Sequence, residues 1–401
     1  MNAEATIDRR ARLLELPPVL RGGFRPFFFL GPLWALVVVC LWVEAMAGAI
    51  TLPTAFDPLA WHRHEMLFGY LGAVIAGFLL TAIPNWTGRL PIAGWRLAGL
   101  ASLWTAARLA LLFSALVGPL TAMLLDVGFL LVLGLACARE VLIARNRNLP
   151  VVGVVLLFAL AAAVDHAEAI GLLATDGLGW RGGFALVLLL ISLIGGRIIP
   201  SFTRNWLMKQ GRTGRLPTQP SRFDLVTIAI TAIALASWVA GIDVQATAPF
   251  LLAAGALQLV RMARWSGHAT FEEPLVLILH ISYAWLPIGL LLLGQSLLVP
   301  TQPTSSALHA LAAGAMASMT LAVMTRATRG HTGRELKADA ITVAIYALVT
   351  LGAALRVAAP WLSLDYLLLL RIAGGLWGGA FLLFLCSYGP MLLCKRPDGR
   401  P

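Results

Sequence analysis

Seven histidines, His62, His64, His166, His268, His280, His309 and His331, are the residues of this sequence best suited to chemistry. Neutral imidazole ligates iron and copper, and its charge changes near neutral pH. His62 and His64 form an i, i+2 pair. On a helix their side chains diverge by about 200°, so they cannot both face one partner. His64-Glu65-Met66-Leu67-Phe68 lacks the second histidine of a His-Glu-x-x-His zinc protease, which excludes that chemistry. A planar macrocycle held between two helices needs an axial histidine from each, at matching depth. His64 and His309 are the expected pair, with His62 as the substitute for His64. Haem carboxylates need cations, and Arg63 and Arg371 lie at suitable depth. Arg371 could equally pair with Asp365. His62, His166 and His280 are candidates for copper or a second metal site, and Glu65, Asp165 and Glu168 are the acids closest in sequence to these histidines.

Other groups read as structural. Arg108 and Arg197 are expected to form internal ion pairs, with Asp126 as a partner. Met316, Met319 and Met324 are soft enough for copper but are expected to pack. No two of the four cysteines have metal or redox spacing, so they read as small buried residues. Arg326, His331 and the run Thr203-Arg204-Asn205-Trp206 read as topology-setting charge with interfacial tryptophan.

The elements that must position these side chains follow from composition. Of 401 residues, 59% are hydrophobic and 12% charged, against about a quarter charged in a soluble domain. A spanning helix needs roughly 20 apolar residues, and apolar runs occur at 27–49, 62–83, 96–115, 118–138, 150–170, 182–202, 223–241, 247–263, 274–296, 306–325, 340–358 and 366–390. The expectation is an all-α polytopic membrane protein of about twelve spans. One membrane domain, 27–390, would lie between a cytoplasmic segment, 1–26, and a tail, 391–401. The net charge of +11 is broken into short loops, which argues against nucleic acid, because no basic face is continuous. Arg9, Arg10 and Arg12 are followed by Pro17-Pro18 and no apolar core with a cleavage site, so a removable signal peptide is not expected. Twenty-four of the 30 Lys and Arg residues fall on the side of the termini and the even-numbered connections, and three on the other. That asymmetry puts both termini in the cytoplasm.

An internal repeat is also legible. His64, Gly69 and Thr87-Gly88-Arg89 match His309, Gly314 and Thr332-Gly333-Arg334 at a constant offset, and Ile199-Pro200-Ser201-Phe202-Thr203 echoes Ile83-Pro84-Asn85-Trp86-Thr87. Helices 2, 6 and 10 being alike suggests three units of four, 27–148, 149–265 and 266–390.

Gly23-Phe24-Arg25-Pro26-Phe27-Phe28, Trp61-His62-Arg63-His64-Glu65-Met66-Leu67-Phe68-Gly69, Asn85-Trp86-Thr87-Gly88-Arg89, Gly195-Gly196-Arg197-Ile198-Ile199-Pro200, Tyr283-Ala284-Trp285-Leu286-Pro287 and Gly330-His331-Thr332-Gly333-Arg334 resemble the NnrS family, over about residues 20 to 395. The resemblance implies a haem- and copper-containing bacterial inner-membrane protein, associated with denitrification and with tolerance of nitric oxide and nitrosative stress. A weaker, architectural likeness is to haem–copper oxidases, which hold a bis-histidine haem between helices 2 and 10. Those enzymes need further histidines in helices 6 and 7, and here both runs have none, which argues against a full oxidase or reductase cycle.

The expected function is therefore a haem-binding membrane protein of the nitric oxide response, with nitric oxide as a ligand and the lipid bilayer as environment. A transporter for a metal ion or small anion is the alternative drawn from repeats and midplane charges. A haem/copper redox enzyme acting on nitric oxide is the third. The electron donor and oligomeric state have no signature. The charge asymmetry makes one prediction: a fluorescent protein fused to the C-terminus will fluoresce, and a periplasm-dependent phosphatase at the same place will be inactive. The reverse pattern overturns the orientation.

Overall fold

The computed structural model describes residues 13–212, 214 and 216–400; Arg9, Arg10 and Arg12, read above as part of the basic leading segment, lie outside them. The chain is 78% helical, and no strand occurs among the described residues. Twelve long helices follow in order: α1 (Phe24–Met46), α2 (Pro58–Thr87), α3 (Trp95–Leu112), α4 (Pro119–Ile143), α5 (Leu149–Ala169), α6 (Leu178–Lys209), α7 (Arg222–Val239), α8 (Val244–Ala263), α9 (Pro274–Leu298), α10 (Thr304–His331), α11 (Ala340–Ala358) and α12 (Tyr366–Leu393). Eleven are long and apolar enough to cross a membrane, and the protein is a multi-pass membrane protein. The exception is α3, whose 18 residues include Arg96 and Arg108. The run expected to reach 115 stops at Leu112, because the chain turns at Phe113. Ser114 then meets the Thr54 hydroxyl at 3.0 Å and accepts the Ala55 N–H at 2.9 Å, anchoring the loop before α2.

The described residues form two compact units. The first runs up to Gly183 and adds Ala327–Glu335 and the chain from Phe384 onward. Within it α2 packs on α1, α3, α4 and α5. It is 72% buried, against 39% for α4 and for α5. Those outer helices instead present leucines such as Leu124, Leu131, Leu135 and Leu157, an apolar surface suited to lipid tails. The second unit comprises Phe184–Arg326 and Leu336–Leu383, and in it α9 packs against α8, α10 and α6.

The three helices singled out by the repeat share a departure from α geometry. Wide π-type turns occupy Glu65–Tyr70 in α2, Ile191–Gly195 in α6 and Ala310–Met316 in α10. Those of α2 and α10 start one residue after His64 and His309, so they obey the sequence offset. Such turns are frequent at functional sites.

Local chemistry fixes where α2 begins. Asp57 accepts the N–H groups of Leu59 and Ala60 at 3.0 and 3.1 Å, and Pro58 takes the first helical position, where no N–H is needed. His64 therefore falls just short of two turns into the helix. After α5, Glu168 accepts the Thr175 hydroxyl at 2.5 Å and the Gly177 N–H at 2.9 Å. This turns the chain so that the first residues of α6 lie on α5, where a Cβ on Gly179 would stand 2.6 Å from Asp165 Cα and 2.8 Å from the Ala161 carbonyl. Both neighbours are backbone and cannot step aside. Gly179→Ala will destabilise the protein by about 1–3 kcal/mol or more, read as a lowered midpoint of thermal unfolding in detergent. Gly128→Ala, with nothing within 4 Å of the added carbon, will not lower it.

Candidate metal centre

Four helices of the first unit each send a charged or imidazole side chain inward at one level. His64 and Glu65 come from α2, Arg108 from α3, Asp126 from α4, and Asp165 and His166 from α5. His64, Glu65, Asp126 and His166 are fully buried. Buried ionisable groups in a membrane protein are costly unless paired, and this group is held by pairing. Arg108 bridges two helices, donating to Glu65 Oε2 at 2.5 Å and to Asp126 Oδ1. Trp34 of α1 donates its indole N–H to the same Glu65 oxygen at 2.6 Å. Asp126 Oδ2 lies 2.9 Å from His64 Nε2 and 3.0 Å from His166 Nε2, and Asp165 Oδ2 lies 2.8 Å from His64 Nδ1.

The wide turn and a glycine make room for the guanidinium. A Cβ on Gly69 would stand 2.5 Å from Arg108 NH1, and the Gly69 carbonyl accepts the Trp104 N–H at 3.1 Å. Phe68 and Phe56 close the site, with ring centroids 4.9 Å from His64 and 5.4 Å from His166. At the more exposed edge Arg63 reaches Asp165 Oδ1 at 3.5 Å and lies over the Trp180 ring at 4.7 Å.

Two imidazole nitrogens and one carboxylate oxygen, from His64, His166 and Asp126, all lie within 4.8 Å of one another. This donor set suits zinc, copper or non-haem iron. His166 Nδ1 is buried without a hydrogen-bond partner. The clustered donors are His64 Nε2, His166 Nε2 and Asp126 Oδ2, and Asp165 lies behind His64 at Nδ1, the arrangement in which a further carboxylate orients a metal-binding histidine. Arg63 and Arg108 stand against the three carboxylates Glu65, Asp126 and Asp165. The residues fit a bound cation.

The motifs around these side chains match a known family. Residues 18–396 match the family of NnrS proteins. The chain belongs to the NnrS family. No curated protein matches it.

The structure places the other expected residues of this NnrS protein as follows. His62 diverges from His64, as the helical geometry required, and stacks on Trp42 at 4.8 Å. His64 has Asp165 at Nδ1 and Asp126 at Nε2. His309 belongs to the second unit. Its Nδ1–H donates to the Ser305 carbonyl at 2.7 Å, which leaves Nε2 with an electron pair, the tautomer an iron ligand needs. His280 Nε2 lies 2.8 Å from the Thr203 hydroxyl, and His331 packs on Phe24 with ring centroids 5.4 Å apart. Arg326 lies over the Phe202 ring at 4.2 Å. Met316, Met319 and Met324 are buried in packing, as expected.

Two expectations need correction, those on Arg197 and on the cysteines. Arg197 does not join an internal ion pair: it lies on the exposed face of α6, and no ion pair of it occurs among the described residues. Asp126, offered as a partner, is filled by Arg108 and the two histidines. Of the cysteines only Cys137 is buried, while Cys40, Cys386 and Cys394 are exposed on apolar helices, where lipid tails rather than protein suit a small thiol. Arg371 likewise lies on an exposed face of α12, and Asp365 accepts the Leu368 N–H at 2.6 Å at the start of that helix.

Sequence reasoning placed Asp126 only as a structural partner of Arg108. Its signal was available, as the one carboxylate within the apolar run 118–138. The joining of His64 and His166 by a single carboxylate oxygen had no sequence signal, because the residues lie 102 apart. Removing the central cation is the sharpest check on this arrangement. Arg108→Met will leave Glu65 and Asp126 buried without it and cost about 3–5 kcal/mol of stability. Arg89→Met breaks a half-exposed pair with Glu140 and will change stability by no more than about 1 kcal/mol. Thermal unfolding of the two purified variants compares them directly.

Proposed function

We propose that this NnrS-family protein is an inner-membrane metalloprotein of the nitric oxide response, holding a metal ion at His64, Asp126 and His166 and a haem with His309 as an axial ligand. The observation that carries the first part is the wholly buried group of two imidazoles and a carboxylate, whose three donor atoms lie within 4.8 Å of one another. The tautomer of His309 supports the second. Nitric oxide, the haem and copper come from the family resemblance. The charge asymmetry supports a bacterial inner membrane with both termini in the cytoplasm.

A bound iron or copper ion supplies an electron-accepting position at which nitric oxide coordinates. The chain's residues do the rest. Arg108 fixes Asp126 through one oxygen and leaves the other to the imidazoles. Asp165 orients His64 from behind. Phe56, Phe68 and Phe158 exclude bulk water, so the donors need not compete with a hydration shell.

The test is metal analysis, a haem assay and a reduced-minus-oxidised optical spectrum on one detergent-purified sample from haem- and copper-replete anaerobic cells. The expected result is about one non-haem metal per chain, lost at least tenfold in His166→Ala and Asp126→Asn, with the haem spectrum retained in both. His309→Ala will lose the haem spectrum and keep the metal. A folded wild-type protein with neither cofactor sinks the reading.

A further inference from the structure

In the second unit one half-buried cation has a buried hydrogen-bond donor that nothing uses. Arg356 lies near the end of α11, and Ser306 of α10 ties the two helices by donating to the Val357 carbonyl at 2.8 Å. That bond brings the first turns of α10, and His309 with them, to the end of α11. Arg356 precedes Val357 in the chain, and His309 lies three residues after Ser306 on the same turn of α10. The NH1 of Arg356 is buried and has no hydrogen-bond partner. An orphaned buried donor on a guanidinium is rare, because the lost hydration is not replaced. Beside it stands His309, whose Nδ1–H is spent on Ser305 and whose Nε2 keeps its electron pair. Packing explains neither the free donor nor the free acceptor. A single ligand with an electron-accepting metal and a carboxylate a few ångströms away would satisfy both.

We propose that Arg356 binds a carboxylate of the haem whose iron takes His309 Nε2, the role the sequence had offered to Arg63 and Arg371. Arg63 is already committed to Asp165 and Trp180 in the first unit, and Arg371 is on an exposed face of α12. The inference rests on the haem reading above and adds the residue that orients the macrocycle about the iron–histidine bond.

The experiment uses the full-length protein in detergent, with iron protoporphyrin IX and its dimethyl ester as probes. Dissociation of each is read optically by transfer to an excess of a haem-scavenging protein. In wild type the dimethyl ester will leave about tenfold or more faster than the free acid, since it cannot accept a charge-assisted pair. Arg356→Gln will release the free acid about as fast as the ester, and Arg356→Lys will restore part of the difference. Arg371→Gln will behave as wild type. Equal release of acid and ester from the wild-type protein overturns the assignment of Arg356 and leaves the haem reading standing. Failure of wild type to hold either porphyrin overturns both. Because the acid–ester comparison is made on wild type, misfolding of a variant cannot imitate the result.

Discussion

Arg108 is the charge on which the interior of the first unit depends. Two carboxylates, Glu65 and Asp126, stand fully buried in a protein whose surroundings offer little water. Neither would remain ionised there without a cation between them. One guanidinium, from the helix least suited by composition to cross a membrane, bridges α2 and α4 and so sets the spacing of three helices. The departures from regular structure nearby follow from making room for it: the wide turn after His64, the bare Cα of Gly69 and the Trp104 bond to the Gly69 carbonyl.

The second unit solves the same problem with different residues. Arg261 of α8 pairs with Asp224 of α7 at 2.9 Å and donates to the Ser192 carbonyl at 2.9 Å and the Tyr283 hydroxyl at 3.2 Å. It lies across Gly196, next to the wide turn of α6, where an added Cβ would stand 2.5 Å from the guanidinium carbon. In α10 an aromatic ring takes that place: Gly314, equivalent to Gly69, faces Trp285 at 2.6 Å from an added Cβ. A wide turn and a glycine that admits a large flat side chain thus recur in α2, α6 and α10. The difference between the units is what remains unspent. The Arg261 network closes on itself through Gln258, Ser192 and Thr231. The group around His64 instead brings two imidazoles and a carboxylate within 4.8 Å of one another, and one His166 nitrogen there has no hydrogen-bond partner.

Burial gives such a site its properties. Imidazole and carboxylate donors screened by Phe56, Phe68 and Phe158 keep their partners at fixed distances, because water cannot exchange into the group. At the more exposed edge Arg63 is held between Asp165 and the face of Trp180. The loop that follows α5, folded back by Glu168, places Trp180 there.

The sequence by itself determined the membrane-spanning helical class, the positions of nearly all the helices, and the special status of helices 2, 6 and 10, because apolar length, proline and glycine punctuation and residue offsets act locally along the chain. It also determined that His62 and His64 must part company, since helical rotation alone requires it. The pairing of Arg108 with Asp126 was legible for a related reason: few countercharges exist within apolar runs. That His64 meets His166 across Asp126 and that Arg197 turns outward came from the fold alone. These outcomes depend on which face of each helix meets which neighbour, and in a chain where lipid and protein interior are equally apolar, hydrophobic pattern says little about that face.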